Sequence, residues 1–585
     1  MKKTFAIATA SIFLLGALTG CSTKSAIVAD SKVTVGELGG IESLNTDVAS
    51  TAEAAAIGRD LQKLTTATFF ERNEIGALVA NEQFGSAKIV AKSPFTVAYT
   101  LTGIAKWSDG TVIDAADLML SWLAASDPKK AGFTSQRAQS GLGKASNTPK
   151  VSSDSKTLTI VFDEAVADWQ TALTLPVAAH VLVQDAFATE KLSPAAAKER
   201  LLGIAADAKV EDLKALAKAY KRGLAATNPI ADSAKVTSGA YSIESFDDSG
   251  LILLANPNFT WGKATKVQRI AFKFYQDSAS LLTALAAAEI DVASPQESSN
   301  LGLSDIVASL QAMKDAGVDF DTSPSSNVEQ IVLNHDSKSF FNAANFADNE
   351  KKAVLLQDAF LKLVPRAKTL AAIASLVGIQ ESNSFVYPGT STYYTPIVQE
   401  NGSAAFRVQE AELAREEVLS TKPVGGRYSV RVLFDSDNPR AQIEFGLLDE
   451  RAATVGFKLE NLGVSDISKE LAKGRFDVLI TSAPLVSAGV SADGNLLASN
   501  LTGFVDSNVT SLLSSLAGQS DELKRAKVMQ KLDTLLFAGH FGVPLYQTPV
   551  VVAHNSRISG FTVSPFGEGV VSGFNNWSVA ASSAK

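Results

Sequence analysis

Apolar residues recur in two rhythms along the 585-residue chain. Leu158-Thr159-Ile160-Val161-Phe162, Ile270-Ala271-Phe272-Lys273-Phe274 and Val430-Arg431-Val432-Leu433-Phe434 read as strands, the second with apolar and polar side chains alternating. Between them the spacing changes to three and four: Val210, Leu213, Ala217, Tyr220 and Leu224 share one helix face, as do Val528, Leu532, Leu535 and Leu536. Strands and helices interleave, so the pattern predicts an α/β chain. Pro365 is expected to end the helical run that begins near Lys351, because its ring clashes with the preceding turn and it has no N–H to donate. No period of 20–50 residues marks a repeat array.

One helix start is legible in detail. Asp114 precedes Ala115-Ala116-Asp117-Leu118, so Asp114 is placed to cap the helix, Asp117 to add negative charge to its first turn, and Ile113 to staple onto Leu118. Upstream, Trp107-Ser108-Asp109-Gly110-Thr111 carries the Asp-Gly signature of a tight turn. Trp107 and Asp109 are read as core and turn residues rather than ligand contacts.

The amino terminus follows a different logic. Met1-Lys2-Lys3 is positive, Phe5 to Leu18 is an apolar stretch broken by small residues, and Leu18-Thr19-Gly20-Cys21 closes it. The stretch falls short of the ~20 apolar residues that cross a ~30 Å hydrocarbon core, and it reads as an export signal over 1–20. Its ending resembles the bacterial lipobox, whose cysteine receives a diacylglycerol and becomes the first residue after cleavage. The predicted arrangement is an acylated Cys21, a tether over 21–26, and a body held on the extracytoplasmic face of the cell membrane. Each buried CH₂ of the acyl chains contributes about 0.8 kcal/mol of anchoring.

Composition narrows the chemistry. Cys21 is the only cysteine and therefore forms no internal disulfide; His180, His335, His540 and His554 show no ligand spacing, so neither a metal nor another cofactor is expected. The formal charge of −8, with no block of like charges, offers no handle for nucleic acid. Asp163, Glu164 and Asp168 near Trp169 could mimic a paired-carboxylate site, but acids after a strand read as a solvated edge. A Gly-x-Ser-x-Gly nucleophile elbow and a phosphate loop are missing, so the chain does not read as an enzyme.

Five stretches in order resemble family 5 extracellular solute-binding proteins, the oligopeptide- and dipeptide-binding components of ABC importers. They are Lys106-Trp107-Ser108-Asp109-Gly110-Thr111 with Asp114 to Asp117 and Ser121-Trp122; Gly239-Ala240-Tyr241 with Asn256-Pro257-Asn258-Phe259 and Trp261-Gly262; Glu289-Ile290-Asp291-Val292-Ala293; Leu333-Asn334-His335 leading to Ala359-Phe360 and Val364-Pro365-Arg366; and Val543-Pro544-Leu545-Tyr546-Gln547. Thr260 is an extra residue in the second, Ala288 stands where the family usually has glycine, and Pro365 departs from its usual Ile-Asp-Arg.

The resemblance implies a two-lobed periplasmic-binding-protein-like fold, type II and of the large cluster with an extra inserted domain, closing over a ligand cleft between lobes. The base of lobe 1 is expected at 27–52, 176–295 and 548–585, the inserted domain at 53–175 and lobe 2 at 296–547. A monomer is expected to capture peptide in the cleft by pairing it with strand edges, and to deliver it to an integral-membrane permease with its ATPase subunits. By position in the family, Thr481, Ser482 and Ala483 are expected to bind ligand, as are Thr51 and Ala52 on a first-lobe edge strand. Peptide-binding members carry an aspartate after the strand that here reads Phe476-Asp477-Val478-Leu479-Ile480; Thr481 to Val486 contains none, and the nearest later acid is Asp493. Recognition of a free ligand amine is therefore not implied. Phe340-Phe341 and Tyr393-Tyr394 are secondary candidates for stacking on ligand, with core anchoring the commoner use of paired aromatics. Two alternatives stand beside peptide import: a surface receptor or adhesin that keeps the fold without transport, and a binder of a non-peptide solute such as an oligosaccharide or metal chelate.

Overall fold

The computed structural model describes residues 27–48, 52–72, 78–139, 141–222, 225–228, 230–346, 350–373, 376–407, 411–421, 423–488, 501–563 and 569–579. Cys21, Thr51, Leu224 and Asp493 lie outside them. A ten-stranded sheet runs through the molecule. Its order is Phe457–Val464, Tyr428–Asp435, Val478–Pro484, Val318–Leu333, Gly542–Asn555, Val292–Ala293, Val28–Leu38, Val267–Tyr275, Gly250–Ala255 and Tyr241–Asp247. The three strands expected from periodicity appear at Thr157–Val161, Val267–Tyr275 and Tyr428–Asp435, and the two helices at Val210–Arg222 and Glu522–Ala538. The middle strand is less alternating than its sequence, because Ile270, Ala271 and Phe272 are all buried beneath both faces of the sheet.

Two large hydrophobic cores organise the described residues, beside a small third cluster of Leu433, Phe476 and Leu479. One gathers Val33, Trp107, Leu123, Ile160, Tyr241 and Trp577; the other Leu333, Phe360, Val432, Leu448, Leu532 and Tyr546. A separate antiparallel sheet of Gly85–Lys92, Phe95–Leu101, Thr157–Val161 and Lys150–Val151 packs within the first core. Beside it, the helix Ala115–Ser126 begins as its sequence predicts: Asp114 accepts from the Ala116 N–H at 2.9 Å, and Asp117 Oδ2 accepts from the Asp114 N–H at 3.0 Å. Asp117 is not a solvated first-turn charge, however. It is fully buried, and its Oδ1 accepts from the Trp107 indole at 3.1 Å and the Ala179 N–H at 3.0 Å, while Lys198 Nζ donates to Oδ2 at 2.6 Å. The apolar run around it buries the carboxylate, and only a lysine 81 residues away makes that tolerable. Pro365 also acts as expected, separating the helices Glu350–Leu363 and Arg366–Ile373.

Candidate functional site

The two halves of the large sheet point at one another. Val28–Leu38 runs parallel to Val267–Tyr275 and Val292–Ala293, and Tyr428–Asp435 parallel to Phe457–Val464 and Val478–Pro484. The halves are joined by Val318–Leu333 pairing antiparallel with Gly542–Asn555. Their ladder is continuous from Val318↔Asn555 to Pro324↔Pro549, breaks, and resumes at Val328↔Gln547. Two prolines facing each other remove two donors, so the pairing loosens where the halves meet. The register shows that the carboxyl ends of the parallel strands on both sides run toward this break: Ala293 pairs near Ala553, and Pro484 pairs with Asn327. Crevices at the carboxyl ends of parallel strands are where open α/β sheets take ligands.

Beside the break, Val478–Pro484 pairs with Val318–Leu333 along its whole length but with Tyr428–Asp435 only at Val478 and Leu479. Among the described residues no strand covers the second edge of Thr481, Ser482 and Ala483. The Ser482 and Thr548 hydroxyls bond at 2.7 Å, and Gln547 Nε2 donates to the Ser325 carbonyl at 2.7 Å while its Oε1 accepts from the Gly389 N–H at 3.1 Å. These ties fix the strand against the two joining strands, Val318–Leu333 and Gly542–Asn555, which form the hinge between the halves. Thr481 and Ser482 are half-buried, whereas Ala483 is buried, so its contribution to a cleft is its main chain and a large side chain there would strike the core. The first-lobe expectation changes: Ala52 opens the helix Ala52–Thr65 rather than lying on an edge strand.

The other sequence candidates go to structural uses. Asp477, buried, accepts from the N–H groups of Phe340 and Arg431 at 2.7 Å each and from the Arg431 guanidinium. Phe341 is fully buried and Phe340 packs against it at 5.1 Å between ring centroids; the Tyr394 hydroxyl accepts from the Asn383 N–H at 2.7 Å, and Tyr393 packs on Tyr387. Asp163 takes Ser146, Glu164 takes Lys144, and Asp168 takes the Gly141 N–H, so the three acids hold no common substrate position. Asp109 accepts from the Thr111 N–H at 2.9 Å and pairs with His180 Nε2 at 2.8 Å; burial pulls its carboxyl up, but these partners outweigh it and hold it below the usual range. No group of His, Cys, Asp and Glu among the described residues has metal-holding geometry.

Periodicity gives no sign of the charged network next to the hinge. Glu297 from the connector after Val292–Ala293, Glu329 from one hinge strand and Tyr546 from the other meet Arg440 and Glu444 of the helix Pro439–Val455. Arg440 pairs with Glu297 and stands 3.7 Å from Glu329; the Tyr546 hydroxyl donates to Glu444 at 2.5 Å. Both Glu329 oxygens lack a hydrogen bond. Burial, then the charge of Glu329, pushes the Glu444 carboxyl well above its ordinary range, and burial raises Glu329 against the pull of Arg440. A cavity of about 300 Å³ beside Arg440 is flanked by the starts of two helices, but their N–H groups at Gly302, Leu303 and Arg440 already bond Asp305, Glu297 and Asn438.

This geometry has known counterparts. An uncharacterized lipoprotein of Mycobacterium bovis is 23% identical over 600 residues, covering 98% of this chain and 97% of its own length. Among solved structures, the periplasmic EDTA-binding protein EppA aligns with a TM-score of 0.73 at 21% identity over 94% of this chain and 96% of its own. The oligopeptide-binding protein AppA from Bacillus subtilis, solved with a nonapeptide, aligns with a TM-score of 0.62 at 11% identity over 94% and 99%. The fold is thus the two-lobed α/β fold of periplasmic binding proteins. No helix among the described residues is long and apolar enough to cross a membrane. The profile of the bacterial extracellular solute-binding proteins, family 5, matches residues 90–499; the chain belongs to that family, whose members are binding proteins of ABC importers and not enzymes.

Proposed function

We propose that the protein is a lipid-anchored, extracytoplasmic receptor that captures peptides between its lobes and delivers them to an ABC permease. The observation that carries the peptide reading is the uncovered main-chain edge at Thr481–Ala483 beside the hinge. An extended peptide adds to such an edge through backbone hydrogen bonds, which gives affinity largely independent of its side chains. Family members with an aspartate at this point have a charge partner for a ligand amine; here Thr481-Ser482-Ala483-Pro484 offers hydroxyls and carbonyls instead. Titration calorimetry of the intact protein with a mixed-sequence oligopeptide and its N-acetyl form should give affinities within about tenfold of each other, since no buried ion pair worth about 3–5 kcal/mol is lost. A much larger loss on acetylation would reveal an acid in the cleft. Absence of peptide binding, with stabilisation by ferric EDTA instead, would replace peptide by a metal chelate, the reading that the fold of EppA keeps in view.

Anchoring rests on the lipobox and on lipoprotein relatives. Cys21→Ser should move the protein from the detergent phase to the aqueous phase or leave the signal uncleaved, as detergent partitioning and amino-terminal sequencing would show. Retention of a cleaved Cys21→Ser variant in the detergent phase would rule the anchor out.

A further inference from the structure

Outside the two joining strands, the cores also meet through a helix end of one and a loop of the other. The helix Ser507–Ala517 buries Val509 and Leu516 in the second core and ends at Gly518. Val166, in the loop after Thr157–Val161, is buried in the first core, with Ala165 and Trp169 packed against it. Gly518 lies directly on Ala165: a Cβ at 518 would stand 3.0 Å from the Ala165 carbonyl oxygen and 3.8 Å from its Cβ. The backbone of Gly518, at φ −99°, is one that any residue adopts, so glycine is set here by the approach of the other chain segment and not by its own conformation.

A pair of opposite charges flanks the contact, and each is fixed from its own side. Arg525 donates to the Leu516 carbonyl at 3.1 Å, at the end of the helix that carries Gly518. Asp168 accepts from the Gly141 N–H at 3.0 Å, and a Cβ at Gly141 would collide with it, so the carboxylate is held within the first core's loop. Burial lowers the Arg525 guanidinium, and the Asp168 carboxylate is among the groups acting against that shift. Neither belongs to the hinge strands or to the open edge at 481–483.

We propose that Gly518 and Arg525 on one lobe, with Ala165 and Asp168 on the other, form an interlobe latch that is made when the cleft closes and broken when it opens. The hinge strands set the path of closure, while the latch sets how long the closed state lasts. Gly518 permits backbone-to-backbone approach, and the charge pair adds a bias that strengthens as the lobes exclude water between them. This inference rests on the two-lobed fold and not on the identity of the cargo.

The closeness of the two Cβ positions provides the test, since disulfides bridge Cβ atoms at about 3.8 Å. In the full-length protein in detergent, Ala165→Cys with Gly518→Cys should form an intramolecular cross-link under mild oxidation, seen as a reductant-sensitive shift in gel mobility. Either single variant, with Cys21 as its only other cysteine, should show none. Once cross-linked, the amides of 481–487 should exchange with deuterium about tenfold or more slowly, an effect reversed by reductant. Arg525→Gln keeps a donor for the Leu516 carbonyl but removes the charge, and in the double-cysteine background it should slow cross-linking about threefold, as expected for a screened attraction between charges farther apart than an ion pair. A folded double variant, checked by circular dichroism, that does not cross-link would overturn the latch. So would cross-linking that leaves exchange at 481–487 unchanged, or an unaltered rate in Arg525→Gln. None of these readouts uses a peptide, so failure of the latch and failure of the peptide reading are separate results.

Discussion

Around Asp117 two carboxylates, Asp117 and Asp114, share one ammonium and both Asp117 oxygens have two donors, so the hydrogen bonding is balanced, whereas around Arg440 three glutamates share a single guanidinium. Lys198 completes the first cluster by reaching Asp117, Asp114 and the Val112 carbonyl, which uses all three of its N–H bonds. In the second, Glu329 and one Glu444 oxygen have no hydrogen-bond partner. The difference follows from place. The balanced cluster binds a turn, a helix start and two further helices into one lobe, where nothing has to move. The unbalanced one collects Glu329 and Tyr546 from the two joining strands and Glu297 from the connector after Val292–Ala293, and burial with the crowding of acids raises its Glu329 and Glu444 carboxyls.

The largest expected effect breaks the balanced cluster. Asp117→Ala strands Lys198 in a buried position and should cost about 3–5 kcal/mol, measured as a lower urea midpoint with unchanged slope. A cost below about 1 kcal/mol would mean that Lys198 finds water or Asp114 in compensation.

Acid should expose a second asymmetry, in the half that contains the hinge network. Burial first, and then the charge of His540, lower His335 to about 4, while its Nε2 lies 3.2 Å from the His540 carbonyl. The unfolded chain takes up that proton near pH 6.5 and the folded one only near pH 4, so the stability held above the higher value is lost as pH falls between them. The loss should be on the order of 3 kcal/mol. His335→Gln cannot titrate and should show a shallower decline in denaturant midpoint between pH 7 and 4.5; parallel declines in the two proteins would assign the acid response to other groups.

The smallest effect belongs to the unbalanced cluster itself. Glu444→Gln keeps a carbonyl for the Tyr546 hydroxyl and removes one surplus acid, so its stability at pH 7 should lie within about 1 kcal/mol of the parent. The sign of its pH dependence is opposite to that of His335. With the folded Glu444 carboxyl raised, its stability contribution is complete below the ordinary value of 4.5 and is lost as pH rises through the raised one. Glu444→Gln should lack that loss. A drop of several kcal/mol at pH 7 would show that the ionised carboxylate is needed and that the two clusters are alike after all.

Much of the framework was legible along the chain. The cap at Asp114, the break at Pro365 and the strands and helices read from periodicity all depend on residues within a few positions of one another. Asp117 marks the limit: its place in the capping box could be read locally, but its burial against Lys198 could not, because that contact spans 81 residues. The candidate site was legible in part. Position in the family pointed to Thr481, Ser482 and Ala483, but only the tertiary structure showed that no strand covers their second edge and that Ala483 is buried. Ala52 stands at the start of a helix and not on the expected edge strand, since an alanine-rich run satisfies helix propensity.

The sequence by itself determined the α/β alternation, the local starts and stops of its elements and, through five motifs in order, the family. Only the tertiary structure decided which strand edge is open, that three glutamates crowd one arginine at the hinge, and that Gly518 rests on Ala165. Periodicity reports whether a position is apolar and which face it shares with near neighbours. It carries no record of which distant segment lies across that face, and the pairing of distant segments sets burial, charge balance and closure.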